Sequence, residues 1–589
     1  MHRRKTCSAG AISSRVMHDA PFDQLLEYVR FLSAPLVSSL LALHPNDLGA
    51  ATFDPPVEWE SWWDWACGDV HDTSEDPTPL SDDPWLQLLK YYDSCRLTNS
   101  GSNGASEQSP RDDAMIPQDL RTVVQKASQL AATREPGTTI FSSAGSSLLD
   151  GALFEKHVSA ECTLPGMSPK KAHEVVTMSN FIGELLQSNV SLSGINHIVD
   201  VGAGQAYLSR MLRDRLGSHV LALDFSEVQT QGAAKRDGAE KKTKRKKGPS
   251  GPGGESSGPQ PAGNPQCHAQ TRQTRDRGEV DALRHGYGSL TYVTAKIDAR
   301  TLCEATDDWI RIRQRDDGAL DENEDGAVVD NRTRTGESVL DPTPVLFVAL
   351  HACGSLTPDI FRAFTASLKT DPSAASWVPR AAVVVGCCYN MMRPEDFPLS
   401  RALRSTTGQA ISLNANHLQL AAQVPAQWTR TAETLRDARL ALRKIVWRAL
   451  INDLFLEAET EAEAEADDDA PPLPAQEGTA PEMAQRRSRR LGRLNDAAYA
   501  DWETFARRVR AKLGLREGAV ARADRRRERR IEVFHVLRCI IGPVIESLIM
   551  LDRAVWVHEE LEANLEVDLV NLFDQASGSG RNVAIVIRP

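Results

Sequence analysis

The chain has 589 residues, is 41% hydrophobic and 25% charged, and carries a formal net charge of -12. These values suit a soluble protein of several domains and exclude a generally basic nucleic-acid binder. Ten cysteines without tight, repeated spacing exclude a disulfide framework and place reduced thiols in an intracellular compartment, cytoplasm or nucleus.

No apolar run is expected to reach transmembrane length. The basic start Met1-His2-Arg3-Arg4-Lys5 lacks the apolar segment that a secretory signal requires. No membrane association is therefore expected. A helical region with a linker occupies residues 1–135. Within it Leu25, Val29, Leu32, Leu36 and Leu40 predict one amphipathic helix from Phe22 to Leu43. Trp59, Trp62, Trp63 and Trp65 are spaced for a packing seam rather than a ligand platform. Leu97 to Arg111 is Ser/Gly/Asn-rich and reads as a linker.

From about Met167 the pattern changes. Ser168-Pro169 is a helix start, with Val175, Met178, Ile182, Leu185 and Leu186 forming its apolar face. His197 to Val201 is a buried-strand pattern, followed by Gly202-Ala203-Gly204 and a helix from Tyr207 to Leu216. His219 to Asp224 is a second strand that ends in an acid. Further strands are predicted at Leu290 to Ile297, Val345 to Leu350, Ala381 to Val385, Val567 to Leu572 and Val583 to Ile587. Strands alternating with helices define an α/β fold, a doubly wound seven-stranded Rossmann-like sheet.

The core divides into residues 136–228 and 289–455, completed by the helix and final strands within residues 496–589. A basic, Gly/Pro-rich insertion at 229–288 holds Lys241 to Lys247, and its composition predicts disorder. An acidic loop is expected at 307–341. An acidic then basic low-complexity insertion follows at 456–495, including Arg486 to Arg490, and Arg525 to Arg530 form another basic tract.

Glycines after a strand admit a ligand close to the backbone, and the following helix offers free N–H groups. A dinucleotide loop would place glycine at 207, where Tyr207 stands; this disfavours NAD(P) and an oxidoreductase. Asp200, just before the glycines, suits a cationic amino group such as that in the methionine part of S-adenosylmethionine (SAM). Asp224 is placed to accept ribose hydroxyls. Asp298 is a candidate adenine contact. His351 and Tyr389, after the fourth and fifth core strands, are the candidate catalytic groups, His351 as a general base. Cys353, Cys387 and Cys388 match no standard metal-ligand spacing, and a continuing strand would point the last two to opposite faces. No metal site is therefore expected.

Five segments together resemble the methyltransferase-like protein 25 family, which includes relatives labelled as ribosomal RNA adenine dimethylase domain-containing. They are Met167 to Glu174; Val199 to Gly204 with Tyr207-Leu208-Ser209; Leu350 to Gly354; Val385 to Tyr389; and Phe397 to Ser400. The resemblance implies a class I SAM-dependent methyltransferase, with SAM held by Asp200, Gly202, Gly204 and Asp224 and by the Lys170/Lys171 segment. At Ala206 this chain departs from the family's usual glycine, a change that is tolerated if φ is negative there. The function expected is methyl transfer to a macromolecular acceptor, RNA or protein. The alternative is a non-catalytic RNA-binding adaptor of the same fold that uses the basic tracts, whose binding would weaken steeply with salt.

Overall fold

The computed structural model describes residues 20–45, 84–99, 116–144, 166–246, 288–324, 341–371, 373–405, 411–451, 491–514, 525–561 and 564–589. The tryptophan cluster at 59–65, the linker beyond residue 99, residues 247–287 and 325–340, and the low-complexity tract with Arg486 to Arg490 lie outside the described residues.

The strands are β1 (Thr139–Ser142), β2 (His197–Val201), β3 (His219–Asp224), β4 (Leu290–Thr294), β5 (Thr343–Cys353), β6 (Trp377–Cys387), β7 (Glu566–Asn571) and β8 (Val583–Arg588). They form an 8-stranded sheet in the order β1-β7-β8-β6-β5-β2-β3-β4. β2 to β6 pair in parallel, whereas β8 runs antiparallel to both β6 and β7. The seven predicted strands are all present. The additional strand, β1, pairs antiparallel with β7 at the sheet edge.

Alternation along each strand divides the core into two layers. Ile198 in β2 and Leu346, Val348 and Leu350 in β5 face the layer built from helices Pro169–Ser188 and Tyr207–Leu216. Val199, Val201, Val345, Phe347 and Ala349 face the opposite layer, which contains helices Leu356–Leu368 and Arg525–Glu560. Strands buried on both faces read as continuous apolar runs, as parallel strands do.

Four sequence expectations are corrected. The helix predicted over Phe22 to Leu43 is two, Ala20–Leu32 and Pro35–Ala42, bent by 69°. Pro35 occupies the first turn of the second, where its missing N–H costs nothing. The acidic segment is helical from Asp307 as far as Glu324, within helix Ala299–Glu324, where Asp307 pairs with Arg311 across one turn at 2.7 Å. The basic insertion is helical as far as Lys246.

Contrary to the fourth expectation, one segment does reach transmembrane length. The Arg527–Glu560 helix is long and apolar enough to cross a membrane, but 94% of its apolar window is buried inside the protein. It is the spine of the second layer, and two buried acids on it are held by partners. Asp552 accepts from Leu399 N at 2.7 Å, Ser400 N at 2.9 Å and Ser400 Oγ at 2.6 Å. Glu546 accepts from Arg134 Nη2 at 2.7 Å and from the Tyr389 hydroxyl at 3.2 Å. The N-terminal helices pack on the same spine, with Arg538 Nε donating to Leu40 O at 3.0 Å.

Candidate active site

Successive parallel strands leave β2 in opposite directions across the sheet, to β3 and β4 on one side and to β5 and β6 on the other. A crevice opens at such a switch point, beyond the carboxyl ends of the strands. Here it is a cavity of about 770 Å³. β2 contributes Asp200 and the loop Gly202 to Gln205; β3 contributes Asp224 and Phe225; Lys296 and Ile297 follow β4; β5 contributes Leu350, His351 and Cys353. Lys171, Tyr207, Met391 and Arg393 complete much of the wall.

The glycine loop turns because its residues can. Gly202 has φ 74° and Gly204 φ 54°, the left-handed region that glycine enters without penalty. A Cβ on Gly202 would lie 3.2 Å from Leu356 Cδ2, whereas one on Gly204 would meet nothing within 4 Å. Gly204 therefore presents bare backbone to open space. Ala206 has φ 53°, so the condition under which alanine would be tolerated there is not met, and this buried residue carries the strain. Tyr207 then starts its helix and donates to Gly166 O at 3.1 Å.

Asp200 is buried and accepts from Ser209 Oγ. Burial raises its carboxyl to about 6, against the hydrogen bond from Ser209 and the charge of Lys171. Asp224 accepts from Gly204 N on one oxygen and from Ser226 N on the other, each at 2.8 Å. These bonds fix the carboxylate plane at the cavity wall, and each oxygen retains a lone pair.

His351 lines the cavity, and its Nε2 lies 3.0 Å from Glu174 Oε2. Lys171 Nζ reaches the same oxygen at 3.4 Å. Burial pushes the Glu174 carboxyl up, but the hydrogen bond and charge of His351, together with Lys171, outweigh it and hold Glu174 below its ordinary value. An ionised Glu174 can only accept, so Nε2 carries the hydrogen and Nδ1 keeps the basic lone pair.

Three candidates lie outside the cavity lining. Tyr389 is 1% exposed, donates to Glu546 and does not reach the cavity; burial raises its hydroxyl far above the ordinary value. Asp298 caps helix Ala299–Glu324 through reciprocal 2.9 Å bonds with Thr301, and Lys296 and Ile297 occupy the wall instead. Lys170 is exposed outside the lining, while Lys171 is within it. Glu174 is a site residue that the sequence does not mark as one, because a glutamate in an amphipathic helix reads as surface. Its place three residues after Lys171 was the available signal.

The thiols are closer than their spacing implied. β6 ends at Cys387, and Cys388 has φ 48°, so the chain turns back rather than continuing as a strand. The sulfur atoms of Cys353, Cys387 and Cys388 all lie within 4.8 Å of one another. Cys353 and Cys387 Sγ are 3.3 Å apart. The hydrogen bond from Cys387 holds the Cys353 thiol low, and the same bond together with burial pushes Cys387 up.

Strand order, the glycine loop and the acids at the ends of β2 and β3 define a class I, Rossmann-like methyltransferase domain. Sequence comparison agrees: residues 170–395 match the family described as "Methyltransferase domain". The chain is similar to "Probable methyltransferase-like protein 25" of Mus musculus, 24% identical over 473 residues, covering 69% of this chain and 73% of the relative. The Homo sapiens protein of the same name is 21% identical over 481 residues, covering 69% and 72%. These similarities bear out the resemblance seen in the motifs. No solved structure matches the chain.

Proposed function

We propose that the cavity binds SAM and that the protein transfers its methyl group to a macromolecular acceptor, RNA or protein. The observation that carries this reading is the convergence of Asp200, bare Gly204, Asp224 and Lys171 on one cavity. The donor set fits the cofactor: a cation for its carboxylate, acids for its amino and ribose groups, and open space above the loop. SAM, when bound, supplies an electrophilic methyl group on a sulfonium.

The chain's own residues then have separable roles. Asp200, once ionised, attracts the amino group. Asp224, oriented by Gly204 N and Ser226 N, accepts hydroxyl hydrogens. His351, oriented by Glu174, offers Nδ1 to take a proton from the acceptor. Phe225 and Met391 are exposed at 78% and 63% and give the mouth an apolar rim for the acceptor.

Calorimetry with SAM tests the reading. Wild type should bind, while Asp224→Ala and Gly202→Arg should lose most of the affinity. A well-folded protein that binds no SAM overturns it. Transfer of labelled methyl into cell extract, followed by nuclease or protease, then distinguishes an RNA from a protein acceptor. Binding without transfer would favour the adaptor.

A further inference from the structure

The three thiols are assembled by the backbone. Cys353 and Cys387 sit opposite each other at the ends of adjacent parallel strands, and Gly354 N donates to Cys387 O at 2.8 Å. Gly354, with φ 55°, lies so close to Met391 that a Cβ would come within 2.6 Å of its carbonyl carbon and oxygen. Arg393 N donates to Ser355 Oγ at 2.8 Å. The loops after β5 and β6 are therefore locked together.

Between them Cys388 holds a left-handed conformation, with φ 48°, that a non-glycine residue adopts only under strain. The outcome of that strain is the return of its sulfur to the other two. Packing alone does not require this, since a small apolar filler needs no three-sulfur convergence.

From this geometry we infer that Cys353, Cys387 and Cys388 form a three-thiolate site for Zn²⁺, with the fourth coordination position facing the cavity. Zinc–sulfur bonds of about 2.3 Å in tetrahedral array place sulfur atoms about 3.8 Å apart. The observed 3.3 Å pair, in a cluster whose members all lie within 4.8 Å, brackets that distance. Soft thiolates select a thiophilic d¹⁰ ion over magnesium or calcium.

Cys387 is buried and Cys353 lines the cavity, so the protein supplies three ligands and leaves one side open, the arrangement of a zinc site that exchanges its fourth ligand. The buried guanidinium of Arg553 donates to Gly354 O at 3.3 Å. Its charge interacts with Cys387, and that of Arg581 with Cys388. Both cations offset the excess negative charge of three thiolates on one divalent ion. The site stands independently of whether the cavity takes SAM.

The test uses the full chain, purified with reductant and dialysed against Zn²⁺ alone, with metal content read by mass spectrometry. One zinc per chain is expected in wild type and in Cys303→Ser. In Cys353→Ser, Cys387→Ser and Cys388→Ser the affinity should fall by more than about 100-fold, since even an outer-shell partner is worth roughly 10–100-fold. Should the buried Cys387→Ser fail to fold, Co²⁺ loading of wild type reads the site directly through thiolate-to-cobalt charge-transfer absorption, lost in Cys388→Ser. Wild type without stoichiometric metal, or serine variants that keep it, overturns the proposal. So does loss of two thiol hydrogens, reversed by reductant, with no metal bound: that result marks a disulfide pair.

Discussion

At the scale of single residues, burial decides how an acid of the site behaves. Asp200, one residue before the end of β2, has its carboxyl raised to about 6 by burial. A folded-state value above the ordinary one means that the ionised form is disfavoured in the fold, so this group's contribution to stability falls as pH rises from about 4 through 6. Binding of a cation runs the other way, because it requires the carboxylate. Affinity for SAM should therefore weaken as pH falls, approaching tenfold per unit below about pH 6. Asp200→Asn should bind more weakly and lose the dependence; calorimetry across that range checks both, and a flat wild-type profile removes Asp200 from the amino-group site. Ala206 offers a second check. At φ 53°, relief of strain in Ala206→Gly should offset the lost methyl, leaving stability within about 1 kcal/mol. Ala206→Val, β-branched in the same conformation, should cost more than about 2 kcal/mol in denaturant melts.

Among elements, the legible parts of the fold are those with a local pattern of their own. The continuous apolar runs of β2, β3 and β5 mark strands buried on both faces, and Ser168-Pro169 marks a helix start. Of the Arg525–Glu560 helix, the sequence marks only a helix within residues 496–589 and a basic tract at Arg525 to Arg530. Buried nearly all round, it shows no 3.6-residue stripe, Pro543 interrupts it, and its arginines read as a solvated tract. β1, four residues long at an edge, is too short to register. In the site, Asp200, Asp224 and His351 were legible as residues at strand ends. Tyr389 misled because the chain turns at Cys388, and that turn also hid the thiol cluster. The long helix yields its own prediction. Asp552 is 0% exposed and holds the loop at Leu399 and Ser400 by three hydrogen bonds. Asp552→Ala orphans two buried N–H groups and should cost about 2–4 kcal/mol. Urea midpoints measure it, and a loss under 1 kcal/mol, roughly one ordinary hydrogen bond, would show the loop to be held by packing instead.

For the whole molecule, the folding unit is larger than the segment that carries the methyltransferase signature. Residues 170–395 match that family, but β6 within them pairs with β8 through Ala382 to Val385, and the second layer needs helix Arg525–Glu560. A fragment of residues 166–405 would expose a flat apolar edge and an uncovered face. It should aggregate or lack a cooperative melt, as read by gel filtration and circular dichroism. A monomeric fragment with a sharp transition would refute the interdependence.

The same architecture bears on chain length. Ala132 N bonds Ser547 Oγ across 415 residues, and Asn582 Nδ2 bonds Arg134 O across 448. The distant contacts therefore enclose nearly everything between them, including the segment of residues 225–289 that joins the neighbouring parallel strands β3 and β4. Closure entropy grows only with the logarithm of length, about 0.6 kcal/mol per doubling. Once such wide circuits are closed, lengthening a connection inside them by tens of residues scarcely alters the balance between folded and unfolded chains. Related chains can thus drift widely in length between β3 and β4 while the sheet, and the cavity at its edge, stay fixed.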